Sequence, residues 1–169
     1  MPTKTVTAGL DGDGLRLIAR TGSGHTIVMD DAEGDTGPRP AELLMVALAG
    51  CTAMDVVSIL RKKRQPFRRY EVRVAGEQQS DPPPHVFEQV RVIHVVEGHV
   101  EVEAVRRAIE LSATKYCTVS GNLASGVSEI HHAYLVRGAG GEERYGEVVV
   151  TGPREGPDAV GRRAAAPAS

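Results

Sequence analysis

The chain has 169 residues, of which 41% are hydrophobic and 25% are charged, with a formal net charge of −2 at pH 7. This length predicts one domain with enough chain to bury a core, and the composition is ordinary for a soluble globular protein. With two Phe, four Tyr and no Trp, the chain is poorly supplied with residues that stack on nucleic-acid bases, and its net charge argues against a general phosphate-backbone binder. The beginning, MPTKTVTAGL, has no apolar core of signal-peptide length, so we expect a cytoplasmic protein.

Residues 4–30 predict three short strands separated by glycine-containing turns. KTVTAGL is followed by DGDG, LRLIAR is followed by TGSG, and HTIVMD completes the set. Alternating apolar and polar residues interrupted by such turns are typical of β-hairpins. The Gly-rich stretches at 22–26 and 138–142 both connect predicted strands and do not lead from a strand into a helix. We therefore do not interpret them as phosphate-binding loops.

Residues 37–61, GPRPAELLMVALAGCTAMDVVSILR, predict the helix around which the chain folds. Prolines suit its first turn, and a basic cluster at 61–64 suits its C-terminal end. The helix is apolar on all faces, which predicts burial, while Thr52, Asp55 and Ser58 argue against a membrane span. One small sheet covers only one side of such a helix. We therefore expect a homodimer in which two copies of the helix meet.

Two strands, a second helix and two more strands follow. Residues 67–76 and 86–97 alternate in polarity, residues 101–116 have helical spacing, and VSEIHHAYLV and YGEVVVT predict the last strands. Hairpins dominate and there is no βαβ rhythm, so we predict an α+β fold with mainly antiparallel sheets. We place a single domain at residues 1–151. The tail, 152–169, is rich in Pro, Gly and Ala without periodicity and is predicted to be disordered.

Cys51 lies at the centre of the first predicted helix, where a free cysteine is more often a small core residue than a reactive one. Its neighbours in AGCTA are small, which leaves room for a ligand beside the sulfur. Asp55, Ser58 and Lys62 continue the same helical face. A buried carboxylate needs a partner, and a structural pairing with an arginine is the favoured interpretation of Asp55.

Cys117 follows the second predicted helix and, taken alone, is also more often a core residue. If a new helix begins after it, free N–H groups would lower the pKa of its thiol. A disulfide with Cys51 requires Cα atoms within about 7 Å. The six histidines have no metal-ligand spacing, and His131 and His132 point to opposite faces of a predicted strand. We therefore expect no metal site.

The two cysteine-containing segments, GPRPAELLMVALAGCTAMDVVSIL and ATKYCTVSGNL, resemble those of the OsmC/Ohr family of osmotically inducible and organic hydroperoxide resistance proteins. The resemblance extends over roughly residues 5–150 and implies sheets wrapped around central helices in an intertwined homodimer. It also implies a thiol peroxidase for organic hydroperoxides or hydrogen peroxide, with Cys51 as the peroxidatic and Cys117 as the resolving cysteine. An external dithiol would be the reductant, and no metal or flavin cofactor is implied.

The chain departs from the best-known members of this family just before the central helix. Those members carry a Pro-Glu step whose glutamate holds an activating arginine. Here that position is Ala41, Glu42 is one step later, and Arg39 replaces a common asparagine. The activating arginine is expected from the N-terminal strands, where Arg16 and Arg20 are candidates, and Arg39 is a third candidate.

Glu42 cannot meet Cys51 on one straight helix, because helical geometry puts it on the opposite face and about 13 Å away along the axis. It contributes to the site only if the helix begins later or if it serves the site of a partner subunit, and otherwise it interacts favourably with the helix dipole. The alternative function is a non-catalytic module that binds a small hydrophobic ligand at the dimer interface with inert thiols. The displaced glutamate is the feature that favours this alternative.

Overall fold

The computed structural model describes residues 3–81, 83–125 and 129–151. In chain order these residues form β1 (Val6–Leu10), β2 (Leu17–Thr21), β3 (Thr26–Met29), α1 (Pro40–Lys62), β4 (Phe67–Gln78), β5 (Phe87–Gly98), α2 (Val102–Leu111), a π-helical turn (Ser112–Tyr116), α3 (Thr118–Leu123), β6 (Glu129–Arg137) and β7 (Glu143–Thr151). The predicted α+β class is confirmed. The tail predicted to be disordered, 152–169, lies outside the described residues.

The chain divides into two compact units between Leu44 and Met45. The first unit contains an antiparallel sheet in the order β1–β2–β3. Its strands begin and end within two residues of the predicted positions, because alternating polarity and glycine turns specify hairpins locally. After β3, the buried carboxylate of Asp30 accepts hydrogen bonds from the N–H and hydroxyl of Thr36 and holds the loop that precedes α1.

The second unit contains a four-stranded sheet in the order β4–β5–β6–β7. The outer pairs are antiparallel, but β5 and β6 run parallel, with Val90 opposite Ile130. The connection through α2, the π-helical turn and α3 is therefore a βαβ crossover, which the sequence-based expectation of hairpins omits. Parallel pairing suits β5, whose residues from Val90 to Gly98 are mostly buried, as in a central strand.

Apolar residues of the second unit pack in two clusters. The first cluster contains Ile109 of α2, Leu60 of α1 and residues of the sheet, so the predicted amphipathic pattern of the α2 helix is confirmed. In the second, Leu48 of α1 packs with Val90 and Ile130 of the sheet. All five side chains are fully buried. Both cysteines lie at the second cluster.

The two faces of α1 differ in exposure. Its buried residues recur at every turn: Leu48, Thr52, Val56 and Leu60. On another face, Val46 is 61% exposed and Met54 is 77% exposed. Within one copy of the chain, α1 is therefore not buried on all sides. By length and composition alone α1 also meets the requirements of a membrane span, a test that core helices of soluble proteins pass as well.

Candidate thiol site

Cys51 and Cys117 come from separate elements and meet beside the second apolar cluster. Cys51 lies on α1, and Cys117 is the residue that caps the N-terminus of α3. Their sulfurs and a carboxylate oxygen of Asp55 all lie within 4.8 Å of one another. Both thiols are free. The structure thus brings three of the predicted site residues together in one place.

The π-helical turn determines where Cys117 lies. After α2 ends at Leu111, the wider turn closes with the N–H of Cys117 donating to the carbonyl of Ser112 at 2.9 Å. The backbone of Cys117 is extended, and its sulfur accepts a hydrogen bond from the N–H of Ser120 at 3.3 Å. A new helix does begin after this cysteine, which meets the condition under which helical N–H groups act on its thiol. Turns of π-helix are rare and are found frequently at functional sites.

The two thiols have different surroundings. Cys51 is half-buried, whereas Cys117 is only 5% exposed. Burial raises the pKa of the Cys117 thiol to about 12, with the Cys51 thiol and the Asp55 carboxylate adding to the rise and the N–H of Ser120 opposing it. The expected lowering of this pKa by helical N–H groups is therefore outweighed by burial. Cys117 is a protonated thiol at neutral pH.

Asp55 lies one helical turn after Cys51 and is half-buried. Its Oδ2 atom accepts a hydrogen bond from the hydroxyl of Ser112 at 3.0 Å. An arginine partner was expected, but the ion pairs formed by the described residues do not include Asp55. A neutral hydroxyl therefore holds this carboxylate beside the thiols.

Behind Asp55, polar side chains form a continuous hydrogen-bonded chain. The hydroxyls of Ser112 and Thr52 are 3.0 Å apart, and Thr52 Oγ1 is 3.5 Å from Nε2 of His94. The Nδ1 atom of His94 is 2.5 Å from the hydroxyl of Tyr70. Thr52, His94 and Ser112 are fully buried. The sequence pattern gives little sign of this chain, because its members lie on α1, β4, β5 and the π-helical turn; only Thr52, a polar residue in an apolar helix, marks it.

The arginine candidates from the strands belong to the first unit. Arg16 forms an ion pair with Asp11 and donates to the hydroxyl of Thr36 at 3.0 Å. Arg20 is exposed on β2, opposite Thr7 of β1. Activation of a cysteine by either arginine stays a prediction.

Glu42 and Arg39 interact at the beginning of α1. The carboxylate of Glu42 accepts a hydrogen bond from the N–H of Arg39 at 2.8 Å, the contact that a glutamate makes at the third position of a capped helix. The guanidinium of Arg39 pairs with Asp35 at 2.8 Å. This geometry supports the interpretation of Glu42 as a residue that stabilises the helix N-terminus.

Two sulfurs and a carboxylate are donors that also suit a soft divalent metal such as zinc. The same two sulfurs lie within 4.8 Å of each other, and a disulfide between them requires a side-chain movement that brings them to about 2 Å. A separate cavity of about 270 Å³ is lined by residues that include His99, Glu101 and Arg144, and neither cysteine lines it. The chemistry of the thiol pair therefore does not depend on that cavity.

Comparison with known proteins gives consistent matches over this region. Residues 32–131, which include both cysteines, match the family model for OsmC-like proteins. Protein YhfA of Escherichia coli K12 is 40% identical over 125 residues, covering 73% of this chain and 92% of that protein. A hypothetical protein from Aquifex aeolicus has a similar structure, with 28% identity, a TM-score of 0.73 and coverage of 82% and 98% of the two chains. An organic hydroperoxide resistance protein OsmC from Legionella pneumophila shares the fold, with 14% identity, a TM-score of 0.58 and coverage of 80% and 97%.

Proposed function

Because the chain belongs to the OsmC-like protein family, we propose that it is a thiol-dependent peroxidase that reduces organic hydroperoxides or hydrogen peroxide in defence against oxidative stress. The observation that carries the proposal is the close approach of Cys51 and Cys117. Some proteins of the same fold are called organic hydroperoxide resistance proteins. The half-buried Cys51 is the thiol that a peroxide reaches, and the buried Cys117 is the thiol that resolves the product.

In the first step, the thiolate of Cys51 attacks one oxygen of the peroxide and the O–O bond breaks. The sulfur gains that oxygen and becomes a sulfenic acid, while the other oxygen leaves as an alkoxide and takes up a proton to form the alcohol. Gly50 precedes Cys51, and no atom lies within 4 Å of the place where a Cβ would stand on this glycine, so the helix surface beside Cys51 is open there.

In the second step, the Cys117 thiol loses its proton and its sulfur attacks the sulfenic sulfur of Cys51. A disulfide forms and the hydroxyl leaves as water. An external dithiol then reduces the disulfide and is itself oxidised.

No metal or other cofactor takes part in this cycle, and we assign the reaction to the cytoplasm, where dithiol reductants are available.

One equivalent of cumene hydroperoxide is expected to remove both free thiols of the reduced protein, since each peroxide supplies two oxidising equivalents. Thiol titration and peptide mass mapping would detect the Cys51–Cys117 disulfide. In Cys117→Ser, the reaction should stop at a Cys51 sulfenic acid that dimedone traps. Cumyl alcohol, which lacks the O–O bond, is the matched control. Two thiols that survive peroxide would contradict the proposal and favour the ligand-binding alternative.

We further propose that the protein works as a homodimer in which the exposed apolar face of α1 packs against a second copy. Val46 and Met54 on this face are large and more than half exposed. Exposed apolar residues of this size on one helix face are typical of interfaces. Such packing would bury the side of α1 that the sheet does not cover. It would also shield the peroxide-binding side of Cys51 from water.

Met54→Glu is expected to weaken the dimer at least about a hundredfold, because a carboxylate would be buried at the interface without a partner. Sedimentation velocity over a concentration series measures the effect. Lys62→Glu, which places a carboxylate at the exposed end of the same helix, should leave the dimer intact. A wild-type monomer at all concentrations would contradict the proposed assembly.

A further inference from the structure

The buried hydrogen bonds that connect Tyr70, His94, Thr52, Ser112 and Asp55 allow one consistent assignment of donors and acceptors. The carboxylate of Asp55 only accepts, so Ser112 donates its single hydroxyl proton to it and must accept from Thr52. Thr52 has then used its own proton and accepts from the Nε2–H of His94, at 3.5 Å the longest contact of the chain. Each donor therefore points towards Asp55.

The hydrogen bond between Tyr70 and His94, at the end of this series away from Asp55, agrees with the same assignment. Burial lowers the pKa of His94 to about 3, so the ring is neutral at pH 7 and carries one N–H. With that proton on Nε2, Nδ1 accepts from the Tyr70 hydroxyl at 2.5 Å. Burial also raises the pKa of Tyr70, which keeps its proton in place as the first donor. The chain is neutral until it reaches the carboxylate of Asp55.

We propose that Asp55 is the general base that takes the proton of Cys117 when this thiol attacks a Cys51 sulfenic acid, an inference that rests on the proposed peroxidase function. A carboxylate oxygen of Asp55 lies within 4.8 Å of both sulfurs, which is close enough for contact after a small side-chain shift. Ser112 is a positioning residue, because its hydroxyl holds the Asp55 carboxylate in place through the hydrogen bond to Oδ2.

The proton balance closes within the site. Asp55 takes the proton from Cys117 as the S–S bond forms, and the same proton is then given to the departing hydroxide of Cys51, which leaves as water. Asp55 returns to its ionised form, so no further reactant is needed. A base is required because burial raises the pKa of the Cys117 thiol well above neutral pH, so this thiol carries its proton when it attacks.

The titratable groups around the proposed base come from several elements. Cys51 lies on α1, Cys117 precedes α3, and Tyr70 and His94 extend from β4 and β5. His132 of β6 is a further neighbour that acts on His94. His94 and His132 are neutral at pH 7 because burial lowers their pKa values. Asp55 is therefore the group of this set suited to accept the thiol proton near neutrality.

The test separates the two chemical steps in Asp55→Asn, a change that keeps the side-chain shape. After mixing with cumene hydroperoxide, quenched-flow samples are analysed for dimedone-trapped sulfenic acid and for disulfide. We expect sulfenic acid to form at a rate within about threefold of wild type, and the disulfide step to slow by about 10²–10⁴-fold, the usual contribution of a general base. Glu103→Gln, an exposed carboxylate on α2, is the matched control.

The pH profile distinguishes a base from a structural residue. Between about pH 6 and 8 the wild-type disulfide step should be flat, whereas in Asp55→Asn it should rise about tenfold per pH unit, following the thiolate fraction of Cys117. Ser112→Ala should slow the same step by roughly tenfold, and Ser112→Thr should restore it because the hydroxyl returns. These variants also carry the test if Asp55→Asn does not fold.

Each failure has a separate signature. If wild-type protein forms neither sulfenic acid nor disulfide, the proposed peroxidase function fails and this inference fails with it. If wild type forms the disulfide but Asp55→Asn resolves equally fast with a flat pH profile, the peroxidase stands and the assigned base is wrong. Loss of sulfenic acid formation in Asp55→Asn would move the role of this carboxylate to the first step and would also overturn the assignment.

Discussion

Cys51→Ser is expected to lower peroxide turnover by at least about a thousandfold, because the reaction loses its nucleophile. A serine hydroxyl is not ionised near neutral pH, and it cannot cycle through a sulfenic acid. Cys117 cannot take over the role, since it is only 5% exposed and burial raises its pKa to about 12. The measurement is the loss of cumene hydroperoxide over time in the presence of a dithiol such as dihydrolipoamide.

Two further variants make this result specific. Ser58→Ala changes an exposed residue two turns after Cys51 on the same helix and should retain wild-type turnover. Cys117→Ser should still consume one peroxide per chain in a single turnover, because the first step needs only Cys51. Full turnover in Cys51→Ser, with the other variants behaving normally, would remove the mechanism proposed for this site.

The sequence predicts well those features that are specified locally. The strands of the first sheet follow from polar alternation and glycine turns, and α1 follows from a long apolar segment with a basic end. The two cysteines are recognised because each lies in a distinctive short segment. Their meeting near Asp55 is also consistent with the polar face that continues from Cys51 along α1.

The features that the sequence does not predict depend on contacts between distant segments. The parallel pairing of β5 and β6 is one, because residues of a central strand look alike whichever direction the neighbouring strand runs. The partner of Asp55 is another: Ser112 lies far along the chain, in a π-helical turn that helical periodicity does not reveal. The burial of His94 is a third feature of this kind, since an alternating strand pattern does not show which polar residue is buried.

The raised pKa of Cys117 also required the structure. The sequence left open whether a helix begins after this thiol; in the structure one does, and the N–H of Ser120 donates to the sulfur. Burial raises the pKa of the thiol and opposes this hydrogen bond. How strongly it does so depends on how deeply the sulfur is buried, which the packing of α3 against the sheet determines. The result adds a requirement to the roles expected of the two cysteines, because Cys117 as the proposed resolving thiol then needs a base.

Acidification from pH 7 to pH 5 is expected to lower the free energy of unfolding by about 4 kcal/mol through two buried histidines. Burial lowers the pKa of His94 to about 3 and that of His132 to about 4, whereas in the unfolded chain both titrate near 6.5. Below pH 6.5 the unfolded chain therefore binds more protons than the folded one. The stabilisation is complete above pH 6.5 and is lost as the pH falls towards the folded pKa values, by about 2 kcal/mol per histidine at pH 5.

His132 offers the direct test of this pH dependence, because in the described part of the protein neither of its ring nitrogens has a hydrogen-bond partner. His132→Leu fills similar space without a titrating group and should remove about half of the loss between pH 7 and pH 5, as measured by urea unfolding at each pH. The exposed His99 serves as the control, since His99→Gln should leave the loss unchanged. An equal loss in wild type and His132→Leu would show that the pKa of His132 is the same in the folded and the unfolded chain, so that the acid sensitivity comes from other groups.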